Sequence, residues 1–570
     1  MRSAHRATLG KPTLLLCHLS AMPKPKRLSK PASPTEPTLS LKEQLVQKRK
    51  EAQARKEAIG FISMTVMVAI ALSLMLAIVG GVKGAIGGFV AIVAILLSFK
   101  FPWQALYAFL IYMPFGGTIT YAVGGDNPLF QLAKDGLFIP ALIGVVQYCK
   151  QQKLPLLVVK SLTTPFALLL GYCLLVLLFV NGAQQFAGLS NQASIATDAI
   201  AATVPNEKPI AMGILGLKVL VGYVPLIPCA YYLMRKKQDV YWLMRMTAII
   251  VIVCCGLAFL QYMFLKTGRC EGTVGSGAAL FKASLSARCL VGGSLLYSEE
   301  QGVIRLPGTF VAPWQWGWFL ISSAFFSFAV TFFDRNFLWK IIGGVALLGT
   351  MIMAVLCGQR IALMLVPAMI VLQLITTGQV ANLKRFIPIG IGVTLVLFVA
   401  MVSNPDVVQE RWDSAVGRWN ASPPDSFIVQ QFENVSKGTS LLGKGLGRAT
   451  NSARALGETE LIETYYPKVM FEIGPIGALL FLGVATSLTG ACFKAYQQVR
   501  DRNLRGYGAS LWTFVLFISY NTYYYPLDVD PVAVYYWFFA GIVLRLPYLD
   551  QQEPIVIEDA NSKKKKKKQK

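Results

Sequence analysis

Fourteen apolar stretches, each near the length that crosses a bilayer, succeed one another between residues 59 and 546. They cover residues 59–79, 85–99, 103–122, 129–148, 163–180, 210–234, 243–265, 312–332, 338–357, 361–376, 386–402, 469–493, 507–523 and 532–546; the second and tenth are short. A helix of roughly 20 residues satisfies its own backbone in lipid, whereas a closed barrel alternates with period two, and these runs do not. The pattern predicts an all-α fold, a polytopic transmembrane helical bundle of about 14 spans.

Two long polar intervals, 266–311 and 403–468, interrupt the spans on one side. Lys and Arg near span ends stay cytoplasmic, which orients the chain. Alternate connections carry Lys150, Lys153 and Lys160, then Arg235, Lys236 and Lys237, then Arg335 and Lys340, then Lys384 and Arg385, then Arg500, Arg502 and Arg505. All fall on one face, and both basic termini share it. The expected organisation is a multi-pass plasma (inner) membrane domain over 58–547, with both termini cytoplasmic and the long loops extracytoplasmic. A basic, largely disordered tail precedes it (1–57, with 41–57 as a charged helix), and a disordered polylysine tail follows (548–570).

A mean hydropathy of +0.52, with 54% hydrophobic and 15% charged residues, exceeds what a soluble core needs. The net charge of +25 would point to nucleic acid in a soluble protein. Here most of the excess lies in the tails and inner loops, where topology and anionic membrane lipid explain it. No basic and aromatic platform of domain size exists, so no nucleic-acid partner is expected. Most of the ten cysteines lie within spans, as packing residues. Cys270 and Cys289 share one outer loop, where an oxidising compartment favours a disulfide. Metal is the lesser alternative, since they lack a C-x-x-C spacing and no histidine is near.

The first loop ends in RLPGTFVAPWQWGWFL, beginning at Arg305, and CGQRIALML places Arg360 in a tight outer turn. Either arginine alone reads as a residue snorkelling to the headgroups. Two on one face, one within a Gly- and Pro-constrained segment, point to anion recognition, because a guanidinium offers a pyrophosphate paired donors. The second loop closes with GKGLG, then ETELIETYYPKVMFEIGPIG. Gly443, Gly445 and Gly447 either turn amides toward a phosphate or serve tight turns. Glu458, Glu460 and Glu463 lead to the twelfth span, where Glu472 either pairs near the helix start or serves as a base.

Lys134 and Asp135 in the fourth span and Lys218 in the sixth lie at depths that permit a pair, and intramembrane charges usually face a cavity. In LDVDP, Asp528 and Asp530 read as turn makers before a proline, with a metal-diphosphate role the lesser alternative.

RLPGTF, GQRIAL and the run from GKGLG to EIGPIG, in this order and on this face, resemble the O-antigen ligase and O-antigen polymerase superfamily of bacterial membrane glycosyltransferases. The resemblance spans roughly residues 100–546. It implies a GT-C-like membrane enzyme that moves a glycan from a polyprenyl-diphosphate carrier to a sugar or lipid hydroxyl, with no nucleotide sugar, cofactor or metal. Arg305 and Arg360 would bind the diphosphate and stabilise it as it leaves. Lys218, Asp135, Gly445, Gly447 and Tyr465 would contact substrate.

One position departs from the ligase pattern, which has a histidine about nine residues before the Glu-x-Gly of the closing loop. Glu463 stands there, and the only histidines are His5 and His18, in the N-terminal tail. Glu463 would then be the base, with Tyr465 or Tyr466 orienting, or it is an ordinary loop carboxylate. Polymerase and ligase remain equal readings. The alternatives are a transporter of a lipid-linked glycan or a small anion such as bicarbonate, and a non-catalytic assembly subunit; no internal repeat favours the transporter.

Overall fold

The computed structural model describes residues 41–123, 133–156, 158–187, 207–270, 289, 292, 296–298, 303–380, 402, 405, 409, 412–413, 416–417, 419–420 and 423–551. The expected disorder of residues 1–40 and of the polylysine run lies outside them, as do His5 and His18 and nearly all of the expected span at 386–402. The chain forms two units, Met1–Met64 and Thr65–Lys570. The described part of the first is helical from Leu41, with Gln53 Nε2 donating to Glu57 at 3.3 Å.

Among the described residues the chain forms α1 (Leu41–Lys100, broken at Gly81, φ 62°), α2 (Pro102–Tyr112), α3 (Ala133–Gln151), α4 (Lys160–Val176), α5 (Pro209–Val221), α6 (Leu226–Leu233) and α7 (Lys237–Lys266). After them come a hairpin of β1 (Leu296–Ser298) and β2 (Val303–Arg305), then α8 (Pro313–Phe333), α9 (Phe337–Leu356), α10 (Arg360–Thr376), α11 (Pro424–Gly438), α12 (Tyr465–Gln497), α13 (Arg502–Tyr520) and α14 (Val532–Gln551). Among the described residues, eight helical stretches are long and apolar enough to cross a membrane. These residues are all-α apart from the hairpin, in which Leu296 pairs with Arg305.

Two of the expected runs are broken where Gly and Pro fall. The run at 103–122 breaks after Tyr112, where Pro114, Gly116 and Gly117 turn it through short 3-10, α and π segments. The run at 210–234 splits into α5 and α6 around Pro225. The second loop holds a helix, α11, and α14 continues to Gln551, past the expected end of the membrane domain at 547.

Helix α8 is apolar all round and buried on nearly every side, packed by α7, α9, α10 and α13. Helix α14 is similarly enclosed, against α6, α12 and α13. Phe326 meets Phe514, Tyr535 and Phe539, which joins α8, α13 and α14 through one aromatic cluster. The peripheral helices instead turn large apolar side chains outward: Phe337, Leu338, Ile341 and Val345 of α9 are about half exposed or more. Such a face suits lipid better than water.

Charges gather at both ends of the bundle. At the end where α8 runs into α9, Asp334 is fully buried and takes both Arg245 Nε and Nη2 at 2.8 Å, with Tyr507 Oη at 3.2 Å. Arg335 pairs with Asp501 and Lys237 with Asp550 nearby. A bidentate guanidinium and a third donor are what a buried carboxylate needs.

Candidate functional site

The two arginine-bearing segments meet at the opposite end. Strand β2 ends at Arg305, and the next amide, Leu306 N, donates to Cys357 O at 3.0 Å. Gly358 has φ +70°, and a Cβ there would lie 1.7 Å from Ile304 O, so only glycine admits this approach. Arg360 follows as the exposed first residue of α10, and Arg305 is half-buried.

The rest of RLPGTF is pinned. Gly308 N donates to Gln261 Oε1 at 3.2 Å, and Gln261 Nε2 donates to Cys289 O at 2.9 Å. Cys289 is disulfide-bonded to Cys270, with Cα atoms 5.5 Å apart. Thr309 O accepts the Gly117 and Thr118 amides at 3.0 and 3.1 Å, which ties the segment to the break after α2. Gln261, wholly buried, carried no sequence signal beyond being a lone amide in an apolar run.

The amides of the Gly-rich turn find partners inside the protein. Helix α12 breaks at Gly474 (φ 72°), and Pro475 has no N–H to return to Phe471 O. Lys444 N donates to that Phe471 carbonyl at 2.7 Å, and Gly445 N to Glu472 O at 3.0 Å. Leu446 N donates to Asn181 Oδ1 at 2.9 Å, and Gly443 N to Ser440 O at 3.0 Å. The amides of residues 443–446 thus point into the protein, as a tight turn requires. Gly443, Gly445 and Gly447 each have positive φ and lie against protein: Glu472 O, the Asn181 side chain and Met212 O.

Asn181, which sequence reasoning passed over, is the hub of this seat. It is fully buried at the end of a π-helical turn continuing α4, and its Nδ2 donates to Pro209 O and Leu446 O at 2.9 Å. Its only sequence signal is its place directly after an apolar run.

Beside the turn lies a buried ionic cluster. Lys468 Nζ is 2.6 Å from Asp528 Oδ1, 3.2 Å from Thr450 Oγ1 and 4.0 Å from Glu472 Oε1. Glu472 Oε1 accepts Ala449 N and Thr450 Oγ1, both at 2.9 Å. Glu472 thus pairs near its helix start and also fastens the closing loop. Asp528 and Asp530 stand in a turn, and each holds a lysine from elsewhere: Asp528 holds Lys468, and Asp530 holds Lys134. Lys218 Nζ meets Asp135 Oδ2 at 2.6 Å, which ties α5 to α3. Among the described residues no group of three or more His, Cys, Asp or Glu side chains could hold a metal ion.

The turn before Pro526 is strained, since Tyr524 and Tyr525 have φ of 56° and 31°. Trp318 Nε1 holds it by donating to Tyr524 O at 3.1 Å, and Thr464 bridges to Tyr523. Burial, aided by the nearby Glu463 and Asp528 carboxylates, pushes the Tyr525 phenol up to about 12. Glu463 itself is half-buried beside this turn. Tyr465 is enclosed at 2% exposure among Tyr466 and Phe481, and Tyr466 Oη donates to Ser519 O at 2.5 Å. Both tyrosines brace α12 in this structure, and a substrate contact by Tyr465 would require its ring to leave the core.

Arg448 and Glu207 complete the site's ion pairs. Arg448 Nη2 lies 3.1 Å from Glu207 Oε2 and 2.9 Å from Gln184 Oε1. The Arg448 hydrogen bond holds the Glu207 carboxyl below the usual carboxylate range despite partial burial. No family model matches the chain, and no curated protein matches it.

Proposed function

We propose that the protein is an extracytoplasmic glycan polymerase or ligase, a metal-independent membrane glycosyltransferase of the O-antigen ligase and polymerase type used in cell-surface polysaccharide synthesis. In this reading the chain crosses the plasma (inner) membrane about 14 times in a GT-C-like arrangement, with both termini cytoplasmic. The observation that carries it is the backbone contact between the RLPGTF segment and the turn bearing Arg360, made through Leu306 N and Cys357 O. Two segments distant in sequence thereby bring Arg305 and Arg360 to one end of the bundle.

The donor is a polyprenyl-diphosphate-linked glycan and the acceptor a sugar or lipid hydroxyl. The hydroxyl oxygen attacks the anomeric carbon, the bond from that carbon to the diphosphate oxygen breaks, and polyprenyl diphosphate departs with the electron pair. Arg305 and Arg360 stabilise the charge developing on it. Glu463 takes the hydroxyl proton. Lys218 and Asp135, already paired, orient substrate from the adjoining helices.

A second reading, transport of a small bicarbonate-like anion or a lipid-linked glycan, is favoured by one observation: Lys468, Glu472 and Asp528 form a buried charged cluster among helices. Transfer assays on the full-length, membrane-inserted protein separate the two. Arg305→Ala and Arg360→Ala should each abolish glycan transfer, and lysine replacements should retain part of it, having lost the fork. Normal product length and amount in both alanine variants would overturn the diphosphate site, and a deletion strain that keeps its long glycans but loses anion uptake would favour transport.

A further inference from the structure

A cleft of about 870 Å³ opens beside the closing loop, within the range of about 300–1,000 Å³ usual for small-molecule sites. Its charged lining is balanced: Lys444, Arg448 and Arg454 against Glu207, Glu458 and Glu460. A polyanion would meet three carboxylates there, and a polycation three cations. A neutral chain rich in hydroxyls meets neither penalty, because each hydroxyl both donates to carboxylates and accepts from guanidinium or ammonium groups. Such charge-assisted hydrogen bonds are roughly twice as strong as neutral ones. Phe471 adds an aromatic wall against which the apolar face of a pyranose ring can lie.

One side of the lining is also fixed in advance. Arg448 Nε and Nη2 both reach Gln184 Oε1, at 3.2 and 2.9 Å, and Nη2 also reaches Glu207 Oε2. Glu207 Oε1 in turn accepts Glu458 N at 3.0 Å. Groups already held in place lose little freedom when a ligand arrives.

We infer that this cleft binds a short stretch of neutral oligosaccharide. Under the transfer reading, on which only this role rests, the stretch is the acceptor end of the growing glycan.

The test uses the full chain in lipid nanodiscs. The probe is a neutral tetrasaccharide released by mild hydrolysis from the surface polysaccharide of the cells that make the protein, followed by saturation-transfer NMR. The parent protein should bind it. Glu458→Gln combined with Glu460→Gln alters two exposed side chains and should weaken binding by roughly tenfold or more. Phe471→Ala should do likewise. Absence of saturation transfer in the parent, unchanged affinity in both variants, or equal competition by the same tetrasaccharide fully sulfated would each overturn the assignment. Arg305→Ala should still bind the probe, so a failed diphosphate site and a failed cleft give different results.

Discussion

The carbonyl of Phe471 accepts the amide of Lys444 at 2.7 Å, across the break that Gly474 and Pro475 put into α12. A helix interrupted inside a bundle must satisfy its freed carbonyls with something, and here the Gly-rich turn supplies the donors. The two segments GKGLG and EIGPIG therefore belong together for a structural reason.

That dependence is testable at Gly474. A Cβ there would lie 1.9 Å from Leu441 O at a φ of +72°. Gly474→Ala should cost about 1–3 kcal/mol in backbone strain and release the turn. Hydrogen exchange should quicken across residues 441–450, and an unchanged exchange pattern would show that the turn is held by other means.

Lys468 and Asp528 test the buried cluster. Lys468→Met leaves two buried carboxylates without their cation and should destabilise the protein by about 3–5 kcal/mol. Lys468→Met with Asp528→Asn should recover part of that loss in thermal unfolding, because one of the two orphaned charges is gone and Glu472 keeps the Ala449 amide and the Thr450 hydroxyl. A double variant no more stable than the single would mean the pair contributes packing only.

The loop docking set by Glu207 should depend on pH. Its folded-state pKa is lowered, so its contribution is fully present above the ordinary carboxylate value and is lost as pH falls through the lowered one. Exchange at 445–460, corrected for intrinsic rates, should rise in that acidic window. Glu207→Gln should remove the pH dependence, and a variant that keeps it would assign the effect to another group.

Cys270 and Cys289 should resist thiol labelling until a reductant is added. Reduction should also loosen RLPGTF, since Cys289 O accepts from the Gln261 side chain that holds Gly308. Labelling of both thiols in untreated, inserted protein would exclude the bond.

Glu463→Gln keeps the shape but cannot accept a proton, and should slow transfer roughly a hundredfold with donor binding intact. Glu433→Gln, an exposed carboxylate on α11, is the matched control. Equal rates in the two would leave Glu463 an ordinary loop carboxylate.

Apolar runs by themselves determined that the chain is a bundle of long helices, because hydropathy over about 20 residues is a local property and needs no knowledge of neighbours. The pairing of Cys270 with Cys289 was legible for a similar reason, since one short loop contains both. Tertiary structure alone decided what the amides of residues 443–446 face, because turn and cradle share one backbone conformation and differ only in that. It also decided the partners of the buried charges. Asp528 reads as a turn residue until α12 brings Lys468 beside it, 60 residues away in sequence. Asn181 and Gln261 stayed hidden because a single amide at or near an apolar run has no periodicity; only the backbone groups packed around it show why it must be polar.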